Sequence, residues 1–86
     1  MGEYTVQDYR NALSYKYAVD AKNSNLGLEI IAMLFYEDTG VVAPFKSAPM
    51  HCPLTNDERI ATYDEWRERI NAIIADAVAP ILAVVA

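Results

Sequence analysis

The first apolar positions of the chain recur at helical spacing. They are Val6, Tyr9, Leu13 and Tyr17. Thr5 precedes them and Asp8 follows Thr5 by three residues, an arrangement typical of a capping box at a helix start. The pattern predicts a helix over residues 6–22 that buries this stripe. Asn23-Ser24-Asn25 then indicates a turn.

The next segment, residues 28–36, is apolar nearly all round. Its sequence, LEIIAMLFY, has no period that separates a buried helix from a buried strand. Ala, Met, Leu and Glu favour a helix, whereas Ile, Phe and Tyr favour a strand. We predict a helix over about 26–38, central in the fold and packed on several sides. The alternative is an α+β fold with a hairpin at 28–45, turning at Asp38-Thr39-Gly40.

Residues 41–54 form a proline-bearing segment that differs from its surroundings. Three of the four prolines lie here, at positions 44, 49 and 53. Proline fixes φ, removes a backbone donor and disfavours a helix in the preceding residue. Val41, Phe45 and Met50 make the segment too apolar for plain disorder. We therefore predict an irregular loop that packs across the helices.

The last third of the chain predicts one long helix. Thr55 to Glu58 forms a capping-box pattern and Thr62 to Glu65 a second, which we expect to begin the main helix. The predicted apolar face comprises Ile60, Tyr63, Trp66, Ile70, Ile73, Ile74, Ala77 and Val78. The helix is expected to end near Ala79, because the ring of Pro80 would clash with the carbonyl of Asp76.

The C-terminal tail, residues 80–86, is apolar and uncharged. Its large aliphatic residues are Ile81, Leu82, Val84 and Val85. A free segment of this kind aggregates in water, so we expect it to dock on its own domain, a sheet edge or a neighbouring molecule. The predicted fold is therefore mainly α: a single domain over 1–86, with a helical hairpin, a crossing loop and a long C-terminal helix that carries the tail.

Composition points to a need for partners. The chain has 86 residues, of which 53% are hydrophobic, against about 45–50% in ordinary soluble domains. A body this small has difficulty burying so much apolar material. The net charge of −5 disfavours contact with nucleic-acid phosphates or anionic lipid. The N-terminal residues do not read as a secretory leader, so we predict a cytoplasmic location, or a particle assembled there.

His51 and Cys52 are the single histidine and the single cysteine, and they are adjacent. Neighbouring side chains in an extended segment point to opposite sides, which is unfavourable for joint catalysis. A zinc site needs three or four ligands at characteristic spacing. No phosphate-binding or nucleophile motif occurs either. We therefore predict no metal, no cofactor and no enzyme. The least implausible catalytic reading is a subunit that completes a shared site with His51 and Glu58.

The favoured function is a non-catalytic interaction or assembly protein that completes its apolar surface with copies of itself or a larger partner. A homo-oligomer or a subunit of a viral or phage particle fits the size and the tail. The predicted contact residues are Tyr4, Tyr15, Ile81, Leu82, Val84 and Val85. Tyrosine favours interfaces because it supplies large area at low entropic cost.

The alternative function is an acidic inhibitor that occupies a basic site on a nucleic-acid-handling complex. Its acidic face comprises Asp57, Glu58, Asp64, Glu65 and Glu68. Arg59, Arg67 and Arg69 interrupt this face in the sequence. An effective mimic of nucleic acid needs an unbroken acidic surface, so these arginines count against the alternative.

Overall fold

The structure, a computed structural model, describes residues 4–21 and 25–85, and in the last helix it describes the side chains of residues 79–81 and 84. Its elements are α1 (Val6–Asp20), α2 (Asn25–Thr39), α3 (Asn56–Ile73), a π-helical turn (Ile74–Val78) and α4 (Ala79–Val85). The described residues contain no strand, so the mainly α prediction is confirmed. The predicted turn at Asn23 and Ser24, and the predicted helix end at Lys22, lie outside the described residues.

The alternative hairpin at 28–45 is wrong because Gly40 ends a helix. Gly40 has φ of +73°, the left-handed conformation that glycine adopts without a steric penalty. Its N–H donates to the carbonyl of Tyr36 at 2.8 Å, and the hydroxyl of Thr39 donates to the carbonyl of Phe35 at 2.7 Å. The bond from Gly40 satisfies a carbonyl that the last turn of α2 would otherwise leave free.

The two first helices form an antiparallel hairpin. The amide of Asn11 donates to Asp38 at 3.3 Å near one end, and Gly27 lies against Ala18 and Ala21 near the other. A Cβ on Gly27 would come within 2.7 Å of the carbonyl oxygens of both alanines. The helices can approach this closely only because these residues are small.

The buried face of α1 differs from the predicted stripe. Asn11, Ala12, Tyr15 and Ala18 are buried, whereas Val6, Leu13 and Tyr17 of the predicted stripe are exposed. The prediction that these three large side chains are buried is therefore wrong. The side of α1 that carries Ala18 is buried because α2 approaches it closely. Tyr15 is buried because its ring contacts that of Trp66 in α3.

The second helix has one buried face instead of several. Gly27, Ile31, Ala32, Leu34 and Phe35 are buried. Leu26, Met33 and Tyr36 lie exposed on its other sides. The prediction of a central helix is therefore wrong, because α1, α3 and the loop cover only part of α2. The apolar surplus in its sequence lies on the surface.

The third helix crosses the hairpin, and aromatic rings join the two layers. The ring of Phe35 lies edge-on to those of Tyr63, at 5.2 Å, and Trp66, at 5.3 Å. Tyr15 contacts Trp66 at 5.5 Å. Further along α3, Ile70 and Ile73 are fully buried. The predicted face of the C-terminal helix is thus confirmed at its centre, while Ile60 at its start is exposed.

The proline-bearing loop packs across the helices, as predicted. Ala43 is buried and the ring of Phe45 lies edge-on to Tyr63 at 5.8 Å. Arg59 of α3 is only 2% exposed and binds the backbone of the loop. Its guanidinium donates to the carbonyls of Val42, Ala43 and Lys46 at 3.1, 2.6 and 2.8 Å. One buried side chain therefore replaces the backbone partners that an irregular segment lacks.

Two of the three predicted capping boxes are present. Thr5 with Asp8 caps α1, and Thr55 with Glu58 caps α3. The third is wrong, because Thr62 lies inside α3 and its hydroxyl donates to the carbonyl of Glu58 at 2.8 Å. The first box alone begins the long helix.

The helix does not end at Ala79. In the π-helical turn before Pro80, the N–H of Ala79 donates to the carbonyl of Ile74, five residues back. This wider turn accommodates the proline ring that an α-helical register would bring against a carbonyl. Helical structure consequently runs over residues 56–85, about 45 Å at 1.5 Å per residue, which equals the longest dimension of the molecule, 45 Å.

Candidate interaction surface

The apolar end of the long helix is exposed. Each described side chain of α4 is on the surface, and Ile81 and Val84 are 62% and 87% exposed. The side chains of Leu82 and Val85, also predicted as contacts, lie outside the described residues. The two described contact residues therefore do not dock on their own domain. They lie on the surface where a partner can reach them.

A second apolar surface lies on the hairpin, on the side away from α3. Leu26, Ile30 and Met33 are three and four residues apart and share one side of α2, and Leu13 and Tyr17 share one side of α1. We call these five residues the hairpin outer face. Tyr15, which contacts α3, and Tyr17 are two residues apart and so point in nearly opposite directions. Leu26 is 69% exposed, so this surface is available to a partner.

The hairpin outer face contains a groove of about 270 Å³. Its lining residues come from α1 and its C-cap (Ser14, Tyr17, Ala18 and Ala21) and from α2 (Leu26, Gly27 and Ile30). The described residues that line it are all uncharged. The sequence pattern missed this surface because Leu13 and Tyr17 were assigned to the core.

The predicted contact residues Tyr4 and Tyr15 both contact other residues of the chain. Tyr15 is 7% exposed, and burial raises the pKa of its hydroxyl above the ordinary value. Tyr4 is half-buried, with its ring 6.1 Å from that of Tyr9 and its hydroxyl donating to Asp76 at 3.4 Å. Both tyrosines pack against other parts of the chain, and their role as contact residues stays a prediction.

The predicted acidic residues all lie exposed on α3, at Asp57, Glu58, Asp64, Glu65 and Glu68. Glu58 accepts a hydrogen bond from the backbone of Thr55 at 2.9 Å, which lowers the pKa of its carboxyl. Asp57, Asp64 and Glu68 are seven and four residues apart and therefore share one side of the helix.

The arginines expected to interrupt this face are drawn away from it. Arg59 is buried under the loop. Arg69 donates to Asp8 of α1 at 3.1 Å, and the guanidinium of Arg67 lies 5.6 Å above the ring of Tyr63. The acidic side of α3 is therefore more continuous than its sequence indicates.

His51 and Cys52 lie at a turn of the loop. His51 is exposed, while Cys52 is half-buried and its Sγ donates to the carbonyl of Leu54 at 3.5 Å. Together with Met50 and the flanking prolines they line an apolar pocket of about 360 Å³. Within residues 4–21 and 25–85, no three His, Cys, Asp or Glu side chains come together as a metal site would need.

A polar network that the sequence did not reveal joins the three long helices. Asp38 of α2 accepts hydrogen bonds from the indole N–H of Trp66 at 2.9 Å and from the amide of Asn11 at 3.3 Å. Gln7 donates to Asn11 at 2.9 Å. The partners of Asp38 are 27 and 28 residues away in sequence, so no local pattern could predict them. These bonds fix the crossing of α3 on the hairpin.

In the part of the chain that the structure describes, no helix is long and apolar enough to cross a bilayer. Comparisons with protein-family models, with curated proteins and with solved structures give no match.

Proposed function

We propose that this protein is a non-catalytic interaction or assembly protein, which completes its apolar surface with copies of itself or with a larger partner. The exposure of Ile81 and Val84 at the end of the long helix carries the proposal. Exposed apolar patches on small proteins mark interaction sites or cause aggregation. A subunit of a viral or phage particle assembled in the cytoplasm fits this small size and this projecting apolar helix.

The helix geometry supports the proposal. The long helix spans the molecule, and α4 lies beyond the π-helical turn that packs on α1. A projecting apolar helix is well suited to recognition of the helix-in-groove type, in which large side chains at helical spacing enter an apolar surface. Ile81 and Val84 are three residues apart and therefore share one side of α4.

The proposal is tested by placing charge on α4 and measuring solution mass by light scattering. We expect the wild-type chain to exceed its monomer mass of 9.6 kDa and the variant Ile81→Glu/Val84→Glu to remain a folded monomer. Ala61→Glu/Ala72→Glu is a matched control, because both alanines are exposed on α3 and the change in charge is the same. This control should keep the wild-type mass.

Self-assembly through α4 is contradicted if the wild-type chain and the α4 variant have the same mass at every concentration. A larger partner is then the remaining form of the proposal. It requires that a partner recovered with the wild-type chain be lost with the α4 variant and retained with the control.

The acidic inhibitor is the second candidate, and the positions of the arginines favour it. With Arg59 buried and Arg69 turned to α1, Asp57, Asp64 and Glu68 form a continuous acidic side of α3. Such a surface can occupy a basic site on a nucleic-acid-handling complex, and binding would weaken steeply with salt.

A polyarginine peptide serves as the probe for this second candidate. We expect Asp64→Asn/Glu68→Gln to weaken binding to the peptide much more than Asp20→Asn/Glu37→Gln, which removes the same charge from α1 and α2. Equal weakening by both pairs would show that only net charge matters, and would contradict a specific acidic face.

A further inference from the structure

The groove on the hairpin outer face has the shape of a receptor for aliphatic side chains. Among its lining residues, the small Ala18 and Gly27 are buried, whereas the larger Tyr17 and Leu26 are exposed. Gly27 lies so close to α1 that a Cβ would come within 2.7 Å of two carbonyl oxygens. Small residues between large ones create a depression that a branched aliphatic side chain from another helix fills.

The apolar helix α4 matches this groove in charge. Among the described residues, those that line the groove carry no charge, and residues 79–85 contain no charged residue. Docking α4 against these lining residues removes none of their side chains' charge from water, so it avoids the main cost of burial at an interface. A helix with charged residues on its docking side would bind the groove poorly, because those charges would have to leave water.

The two elements also match in length. The groove follows α1 from Ser14 to Ala21, about 10 Å along the helix axis. The seven residues of α4 likewise extend about 10 Å.

The α4 helix of the same chain lies in the other layer of the molecule. It follows α3 and the π-helical turn in one helical run, and α3 contacts α1 through Tyr15 and Trp66. Tyr17, at the groove, lies on the opposite side of α1. A chain therefore presents both an apolar helix and a matching groove on different sides, which is the arrangement that a second copy can satisfy.

We propose that α4 of one chain docks in the α1–α2 groove of a second copy, reciprocally about a two-fold axis. This inference rests on the proposed function and specifies its partner and its receiving surface. One docked α4 is too small for a stable interface, which buries about 800 Å² on each partner. A two-fold axis doubles the contact, because each chain then contributes one α4 and one groove.

The test uses two variants of the full chain and sedimentation equilibrium. The α4 variant is Ile81→Glu/Val84→Glu, and the groove variant is Tyr17→Lys/Leu26→Lys. All four side chains are well exposed in the single chain, so both variants should fold, which circular dichroism checks. We expect the wild-type chain to be a dimer and each variant alone to dissociate about 100-fold more readily, because charge enters an apolar contact.

Mixing the two variants should restore a 1:1 dimer. The groove variant then supplies an intact α4 to the intact groove of the α4 variant, and the second contact pairs glutamates with lysines. Two exposed changes outside the surface, Ala61→Lys/Ala72→Lys, form the control for the groove variant and should leave the dimer unchanged.

The inference is overturned if the groove variant alone keeps the wild-type dimer, or if mixing restores nothing. When the groove variant stays dimeric and the α4 variant does not, assembly through α4 stands and only the receiving surface is wrong. A wild-type chain that is monomeric at every concentration overturns the second copy as partner, and leaves the proposed function dependent on a larger partner.

Discussion

Large aliphatic side chains occur in both α3 and α4 of the long C-terminal helix, but in opposite environments. In α3, Ile70 and Ile73 are fully buried, whereas in α4, Ile81 and Val84 are largely exposed. Isoleucine is buried in one helix and exposed in the other, so the difference in exposure does not come from the residue type. It comes from α1, which lies against α3 and the π-helical turn and leaves the described side chains of α4 uncovered.

This contrast has an energetic meaning. Burying a large aliphatic side chain contributes about 1.5–3 kcal/mol relative to leaving it exposed. The chain gains that contribution at Ile70 and Ile73 but not at Ile81 and Val84. Burial of Ile81 and Val84 by a partner would therefore add stability that the single chain does not have.

The largest expected effect comes from the same substitution in each helix. Ile70→Ala should lower the free energy of unfolding by about 2–5 kcal/mol, because it removes packed methyl groups and leaves a cavity. Ile81→Ala should change it by less than about 0.5 kcal/mol at concentrations where the chain is monomeric. Urea unfolding measures both. A large loss on Ile81→Ala would mean that α4 packs on its own chain.

The next effect concerns Arg59, which ties the loop to the start of α3. Arg59→Met should cost about 2–4 kcal/mol, because it leaves buried carbonyl groups of the loop without partners. Arg67→Met is the matched control, since this guanidinium is exposed above the ring of Tyr63 and contributes about 0.5–1 kcal/mol. Equal losses in urea unfolding would contradict the role of Arg59.

A smaller effect on stability is expected at the two threonines that were candidates for the start of α3, Thr55 and Thr62. Thr55→Ala should cost about 1 kcal/mol, because it removes the side chain that caps the helix. Thr62→Ala should be close to neutral, since alanine has the higher helix propensity within a helix. Thermal unfolding followed by circular dichroism distinguishes them. A larger loss for Thr62→Ala would place the helix start at the second box.

The smallest effect is a dependence on pH at the start of α1. The backbone N–H of Thr5 and the guanidinium of Arg69 lower the pKa of Asp8. Because the folded-state pKa lies below the unfolded one, the stabilisation is present above the unfolded value, about 4, and is lost as pH falls through the folded value. Asp8→Asn should reduce the loss of thermal stability between pH 6 and 3. An unchanged pH profile would contradict this assignment.

The features that local sequence predicts well are those decided by neighbouring residues. The capping boxes at Thr5 and Thr55 depend on residues three apart, and the irregular loop follows from its prolines. The buried face of α3 follows from the spacing of Trp66, Ile70 and Ile73. Each depends on geometry within a few residues, so the sequence carries it directly.

Other features depend on which element lies opposite. The stripe through Leu13 and Tyr17 is more apolar than the side of α1 that is buried, but Ala18 lets α2 approach and Tyr15 meets Trp66. Arg59 is buried because the loop returns over it. These contacts join residues distant in sequence, so the periodicity of one helix could not predict the groove or the loss of Tyr15 from the surface.

The claim that α4 is covered by a second copy is tested most directly by hydrogen exchange of its backbone amides at low and high protein concentration. The amides of α3 around Ile70 should be protected at both concentrations, because they belong to the core of the single chain. We expect the amides of α4 from Ile81 onward to exchange rapidly at low concentration and to become protected at high concentration. Rapid exchange in α4 at both concentrations would contradict the account.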